Sequence, residues 1–328
     1  MKFTSLGRLG PRVSRICLGC MTFGNEQEWM LDGEQADRVV QRALDLGINY
    51  FDTADVYSDG RSEEILGESL EGHEEVVVAT KVGLQFGSDP KNAGLSRERI
   101  LRQVAGSLAR LKRKRIDLYQ IHRWDYGTPI EETLQTLTDL VSEGRVTRIG
   151  ASAMFAWQFM QSLAVSARDG LEAFATMQNR YNLVYREEER EMIPLCQQYK
   201  IAVLPYSPLA MGFLSGKYKK GMTPDSVRYR SSSALRERYF FENDFAVLEA
   251  TRTIAGEKGV TPAQVSIAWL LSKPPVASVI LGASKPEHVD QAVEALEISL
   301  TESEIKRLEE RYLPHALIGP VLPPAPSS

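Results

Sequence analysis

What this chain lacks narrows the field first. Its 328 residues include only three cysteines, Cys17, Cys20 and Cys196. That odd, low count excludes a disulfide scaffold and fits a reducing compartment. Its four histidines are scattered, which speaks against a structural zinc site. No stretch approaches the roughly 18 apolar residues that a membrane span needs. The opening Met1-Lys2-Phe3-Thr4-Ser5-Leu6-Gly7 has neither the apolar core nor the cleavage site of a secretory leader. A cytoplasmic location is the expectation. Net charge is −4, from 39 basic and 43 acidic residues, so no electrostatic footprint for nucleic acid or an anionic membrane exists. The local basic run Arg110–Arg115 reads as a solvated helix end. The chain also lacks the G-x-G-x-x-G turn of the usual dinucleotide-binding fold.

What is present is alternation. Eight short apolar runs read as strands: Ile16–Cys20, Asn49–Ala54, Val76–Val82, Asp117–His122, Arg148–Ser152, Ala175–Asn179, Ala202–Ser207 and Ser278–Gly282. Between them Glu34–Leu46, Arg61–Glu71, Ser96–Arg110, Ile130–Glu143, Ala156–Arg168, Arg186–Tyr199 and Pro262–Ser272 carry apolar residues at helical spacing. Such alternation demands a parallel sheet with helices outside. Hydroxyl caps at Ser96 and Thr301, proline at the first helical position in Thr261-Pro262, and glycines at Gly47 and Gly144 punctuate the helices. Polar residues recur at strand C-terminal ends: Asp52, Lys81, His122, Ser152, Gln178, Tyr206 and Ser284. In a (β/α)8 TIM barrel those ends converge on one face, where the active site forms. The expectation is one barrel over residues 1–314 and a flexible tail over 315–328. A long loop at about 217–243 would lie close to the barrel mouth. Cys17 and Cys20 have C-x-x-C spacing, but alternation along a strand sends them to opposite faces, which argues against a redox pair.

Four of the strand-end groups make a chemical unit. A free tyrosine is a weak acid, with a pKa of about 10. Lys81 can supply a cation that lowers that value for Tyr57, and Asp52 can hold Lys81 charged. A neutral His122 can orient a substrate carbonyl. The unit polarises a C=O and supplies a proton but no hydride, which requires a cofactor. Small polar groups at Ser152, Gln178 and Asn179 suit a nicotinamide carboxamide, and Tyr206 could stack on its ring. The Gly282-Ala283-Ser284-Lys285 turn leads into a helix N-terminus suited to phosphate. Lys217, Arg228, Ser284 and Lys285 could meet a 2′-phosphate. Met21, Trp29, Trp124, Met211, Phe240 and Phe241 give a bias toward apolar or aryl carbonyls.

From about Met1 to Leu313 the sequence resembles the aldo-keto reductase superfamily. The segments that carry the resemblance are Phe51-Asp52-Thr53-Ala54 with Tyr57, Thr80-Lys81, Asp117–His122, Gly150-Ala151-Ser152, Tyr206-Ser207-Pro208-Leu209 and Gly282-Ala283-Ser284. The stretch Leu209–Tyr218 is similar to the branch of potassium-channel β-subunit-like and aryl-alcohol-dehydrogenase-like reductases. The resemblance implies Asp52, Tyr57, Lys81 and His122 as a catalytic tetrad. It implies NADP(H), in preference to NAD(H), held by Ser152, Gln178, Tyr206, Ser207, Leu209, Gly212, Lys217, Arg228, Gly282, Ser284 and His288. Three positions depart from the family pattern: Ala153 where many members have Asn or Arg, His288 where many have Gln, and Ala292 where many have Asn. The activity implied is NADP(H)-dependent reduction of an aldehyde or ketone, with Tyr57 as general acid. The alternatives are a cofactor-sensing regulatory subunit and a Schiff-base aldolase using Lys81.

Overall fold

A computed structural model describes residues 1–7, 10–24, 26–221 and 226–322. An N-terminal hairpin comes first, β1 (Phe3–Ser5) paired antiparallel with β2 (Arg12–Ser14). Eight parallel strands follow: β3 (Ile16–Gly19), β4 (Tyr50–Asp52), β5 (Val77–Val82), β6 (Ile116–Ile121), β7 (Val146–Ser152), β8 (Thr176–Gln178), β9 (Ala202–Val203) and β10 (Val279–Gly282). They lie in chain order, with β10 back beside β3. The ring closes between β9 and β10, where the Ala277 N–H donates to the Val203 carbonyl at 3.0 Å and the Ile280 N–H to the Pro205 carbonyl at 2.9 Å. This is the (β/α)8 barrel expected from the alternation.

The crossover helices match the periodic segments closely. They are α1 (Gly33–Asp45), α2 (Arg61–Ser69), α3 (Arg97–Arg110), α4 (Ile130–Ser142), α5 (Ala156–Asp169) and α6 (Met192–Tyr199). The expected helix at Arg186–Tyr199 is shorter because a separate turn, Glu187–Glu189, precedes it. Between β9 and β10 come α7 (Val227–Ser231), α8 (Ser233–Arg238), α9 (Glu242–Lys258) and α10 (Pro262–Leu271), and α11 (Pro286–Glu294) and α12 (Glu302–Glu309) follow β10. The expected long loop at 217–243 thus carries two short helices, and the 17-residue α9 begins inside it. Helix α9 buries Val247, Leu248, Ile254 and Ala255 against the barrel but is punctuated by polar residues, which mask its period. Thr301 caps its helix and Pro262 opens α10, as expected, and Thr261 also caps α10. Ser96 does not cap α3; the Arg97 N–H takes the Glu132 carboxylate from α4 instead, at 2.8 Å.

Two apolar cores result. Inside the barrel lie Cys17, Tyr50, Val77, Ala79, Leu118, Ala202, Leu204, Ala277 and Ile280, with Leu6 and Val13 of the hairpin closing the floor. The larger core fills the space between strands and helices and contains Cys20. The two cysteines therefore do lie on opposite faces of β3. Parallel strands buried on both faces explain why these segments are nearly continuous apolar runs. Residues 315–322, expected to belong to a flexible tail, return across the barrel mouth. Ile318 N–H donates to the Tyr185 hydroxyl at 2.9 Å, and the Tyr126 hydroxyl donates to the Val321 carbonyl at 3.1 Å. The end of that tail, residues 323–328, lies outside the described residues.

Candidate active site

Strand parity puts the chemistry at one end of the barrel. Asp52 shares the inward face of β4 with Tyr50. Lys81 follows Val77 and Ala79 on the inward face of β5, and Gln120 and His122 follow Leu118 on β6. The Lys81 ammonium is fully buried and donates to Asp52 Oδ1 at 2.5 Å, to the Thr53 carbonyl at 2.6 Å and to the Tyr57 hydroxyl at 3.5 Å. Tyr57 reaches the site from a one-turn segment after β4, where Ser58 and Asp59 adopt left-handed backbone. Its ring is half-buried, with Lys81 Nζ 5.0 Å from the ring centroid and the His122 ring edge-on at 5.7 Å. Gln120 and Gln178 both donate to Asp52 Oδ2, at 3.0 and 2.8 Å. All four groups expected of a tetrad are therefore in one place.

Burial sets their proton affinities. It alone would strip the Lys81 ammonium, but the adjacent Asp52 carboxylate and the Tyr57 hydroxyl outweigh it, so Lys81 holds its proton above the ordinary value. His122 is pushed well below its ordinary value, by burial first and then by Lys81 and Arg123. It is a neutral imidazole at neutral pH, and its Nδ1 has no partner among the described residues. For Tyr57 the expected effect of Lys81 is present but is outweighed. Lys81 does pull the phenol down, but burial of the hydroxyl pushes harder, and the net direction is up. Tyr57 therefore holds a proton that it can give to a more basic atom.

The residues expected to hold a cofactor fall in two groups. Ser152 and Gln178 end adjacent strands in register and are buried. Gln178 turns its amide nitrogen to Asp52, a partnership the sequence did not suggest. Tyr206 is bridged to Arg180, whose guanidinium lies 5.2 Å over the tyrosine ring; its hydroxyl has no partner among the described residues. Ser207 has positive φ, and its carbonyl accepts from Asn182 Nδ2 at 2.9 Å.

The second group is outside. Leu209 opens the turn that contains Gly212, at φ 91°, where a Cβ would stand 3.5 Å from Lys217 Nζ. Gly282, the last residue of β10, and Ser284 after it are exposed, and the Ser284 N–H points at His288 Nδ1 at 3.3 Å. His288 is lowered by partial burial, then by Lys285 and, more weakly, by Lys217, against the opposing Glu287 carboxylate. Arg228 makes a different contact. Its guanidinium lies 3.6 Å over the Trp29 ring, joining the loop after β9 to the loop after β3. Ala292 is wholly buried in the core, so nothing at that position reaches the surface. Residues missed from sequence include Gln120 and Thr53. Gln120 could have been found by parity, as a polar side chain at an inward position between Leu118 and His122.

Among the described residues, no helix is long and apolar enough to cross a membrane, and no cluster of His, Cys, Asp or Glu could hold a metal ion. The sequence model of the aldo/keto reductase family matches residues 15–312. The chain is 38% identical to a versiconal hemiacetal acetate reductase of Aspergillus parasiticus, covering 97% of this chain and 98% of that protein. It is 35% identical to a putative aryl-alcohol dehydrogenase of Schizosaccharomyces pombe, over 96% and 97%. It is 36% identical to a probable voltage-gated potassium channel subunit beta of Oryza sativa, over 91% and 92%. With the barrel, the strand-end cluster and this breadth of similarity, the chain belongs to the aldo/keto reductase family.

Proposed function

We propose that this protein reduces aldehydes or ketones to alcohols with NADP(H), and that Tyr57 supplies the proton. The observation that carries the reading is the Lys81 ammonium, shared among Asp52, the Thr53 carbonyl and the Tyr57 hydroxyl in a buried pocket that His122 edges. A reduced nicotinamide bound against Tyr206 would supply the hydride. The substrate oxygen accepts hydrogen bonds from Tyr57 and from neutral His122, which hold it and polarise its carbon. As negative charge grows on that oxygen, the buried Lys81 charge stabilises it and the phenolic proton of Tyr57 moves to it. His288, beside Ser284, and the nearby cations Lys285 and Lys217 that act on it support a phosphorylated ribose, hence NADP(H) over NAD(H).

Tyr57→Phe removes the proton and leaves the rest of the pocket. Turnover in NADPH oxidation across a panel of aldehydes, ketones and diketones should fall by at least about 10²-fold. Wild-type rates in that variant would overturn the mechanism. The aldolase alternative needs an uncharged Lys81 amine, which the Asp52 carboxylate opposes. A cofactor-sensing regulatory role keeps support from the relatives described as channel β-subunits. Negligible turnover across the panel with intact NADPH binding would favour it.

A further inference from the structure

Asp52 presents two oxygens in a place where water is scarce, and the tetrad uses only one. Oδ1 takes the Lys81 ammonium. Oδ2 accepts from the side-chain amides of Gln120 at 3.0 Å and Gln178 at 2.8 Å, and the Gln178 amide nitrogen also lies 3.3 Å from Gln120 Oε1. A carboxylate only accepts, so both amides must turn their NH2 groups toward it. Gln120 is wholly buried, reaching inward from β6, beside Lys81 on β5 and Gly150 on β7. A Cβ at Gly150 would come within 3.1 Å of Gln120 Cγ and 2.3 Å of Thr176 Oγ1, so glycine there leaves room for the side chain. Besides Asp52 and Lys81, the titratable groups close to this part of the barrel are Cys17 and Tyr50 below, Cys20, the Tyr57 hydroxyl and His122.

We propose that Gln120 is a positioning residue that serves the tetrad and the cofactor pocket at once: it closes Asp52 Oδ2, leaving Oδ1 for Lys81, and it fixes the side-chain amide of Gln178 with its oxygen toward the pocket. An oxygen so presented accepts from the NH2 of a nicotinamide carboxamide. The same bonds that steady the Asp52–Lys81 pair therefore set the amide orientation the cofactor meets. This rests on the proposed use of a nicotinamide, but the hydrogen-bond bracket itself does not.

The test uses Gln120→Glu in the full-length protein. A protonated carboxyl reproduces the donor and acceptor of the amide, whereas an ionised one faces Asp52 charge to charge. Two carboxyls sharing a site cannot both ionise easily. By 13C NMR against the wild type, the introduced carboxyl should titrate at least about two units above the ordinary glutamate value of roughly 4.3. Below that pH, NADPH binding by fluorescence quenching and kcat/KM should stay near wild type. Above it both should fall by about tenfold or more, the order expected for a bond to a charged group, where the wild type shows no such step. Thermal unfolding at each pH separates this from loss of the fold. An ordinary carboxyl titration would overturn the bracket, and a raised one with wild-type pH dependence of binding and turnover would overturn its role. If the wild type bound no nicotinamide, the function proposed above would fail, while the carboxyl titration would still decide the bracket.

Discussion

Lys81 and Lys217 show how one barrel mouth is built in two ways. Lys81 is wholly buried at the end of a six-residue strand, with Asp52, a backbone carbonyl and a phenol around its nitrogen. Lys217 is exposed on a turn after β9, its nitrogen beside Gly212 and 5.1 Å from the centroid of the Tyr218 ring. In the first region the charges are buried, so each must be met by protein and proton affinities move far from their ordinary values. In the second, solvent screens the charges and the backbone bends through left-handed turns at Ser207, Ala210, Met211, Gly212 and Gly216. Proton chemistry needs the first kind of site. Anion capture tolerates the second, because an exposed cation can meet a phosphate without first being buried.

The contrast can be broken by substitution. Lys81→Met leaves the Asp52 carboxylate buried without its cation. It should lower turnover by at least about 10²-fold and destabilise the fold by about 3–5 kcal/mol in urea unfolding, the cost of orphaning one partner of a buried pair. If the protein lost neither, the buried network would not matter as described. Lys217→Ala should raise the Kd for NADPH roughly fivefold, as for an exposed ion pair, leave NADH unchanged and lose its effect at high salt. Salt-independent weakening of both cofactors would erase the distinction between the regions.

Two smaller effects concern pH. His122 is held neutral by burial, so kcat/KM for reduction should show no inflection near 6.5. It should fall only on the alkaline side, above the ordinary phenol range, where Tyr57 loses its proton. An inflection near 6.5 that disappears in His122→Asn would overturn this. Behind the site Asp55, wholly buried and 3.6 Å from Arg99, is raised to about 7 by burial and then by Glu63, against an ordinary 3.8. Folding takes up its proton, so that contribution to stability is complete below 3.8 and is lost as pH rises through about 7. Asp55→Asn should therefore lose less stability than the wild type between pH 4 and pH 8, measured as the shift in urea midpoint. An unchanged shift would place the Asp55 titration elsewhere.

Much of this was legible in the order of residues. The eight strands follow from short continuous apolar runs, and the helices α1–α6, α10 and α12 from apolar spacing and end signals. Helix α9 was not legible: its polar residues interrupt the apolar period. Nor was the Gln178 partnership, since an amide at a strand end suits a carboxamide and a carboxylate equally well. The Ser96 cap shows the same limit, because its donor was met by Glu132 from another helix.

By itself the sequence determined the barrel and the face on which polar groups gather, because those depend on local period and on parity along strands. Its resemblance to a family, and not period or parity, singled out Asp52, Tyr57, Lys81 and His122. Only the tertiary structure decided how these groups are tuned. The direction of the Tyr57 shift turns on the contest between burial and a lysine 24 positions away in the chain. The hydrogen bonds that seat Asp52 come from amides 68 and 126 positions away. Desolvation is a property of everything packed around a group, and no stretch of chain carries it alone.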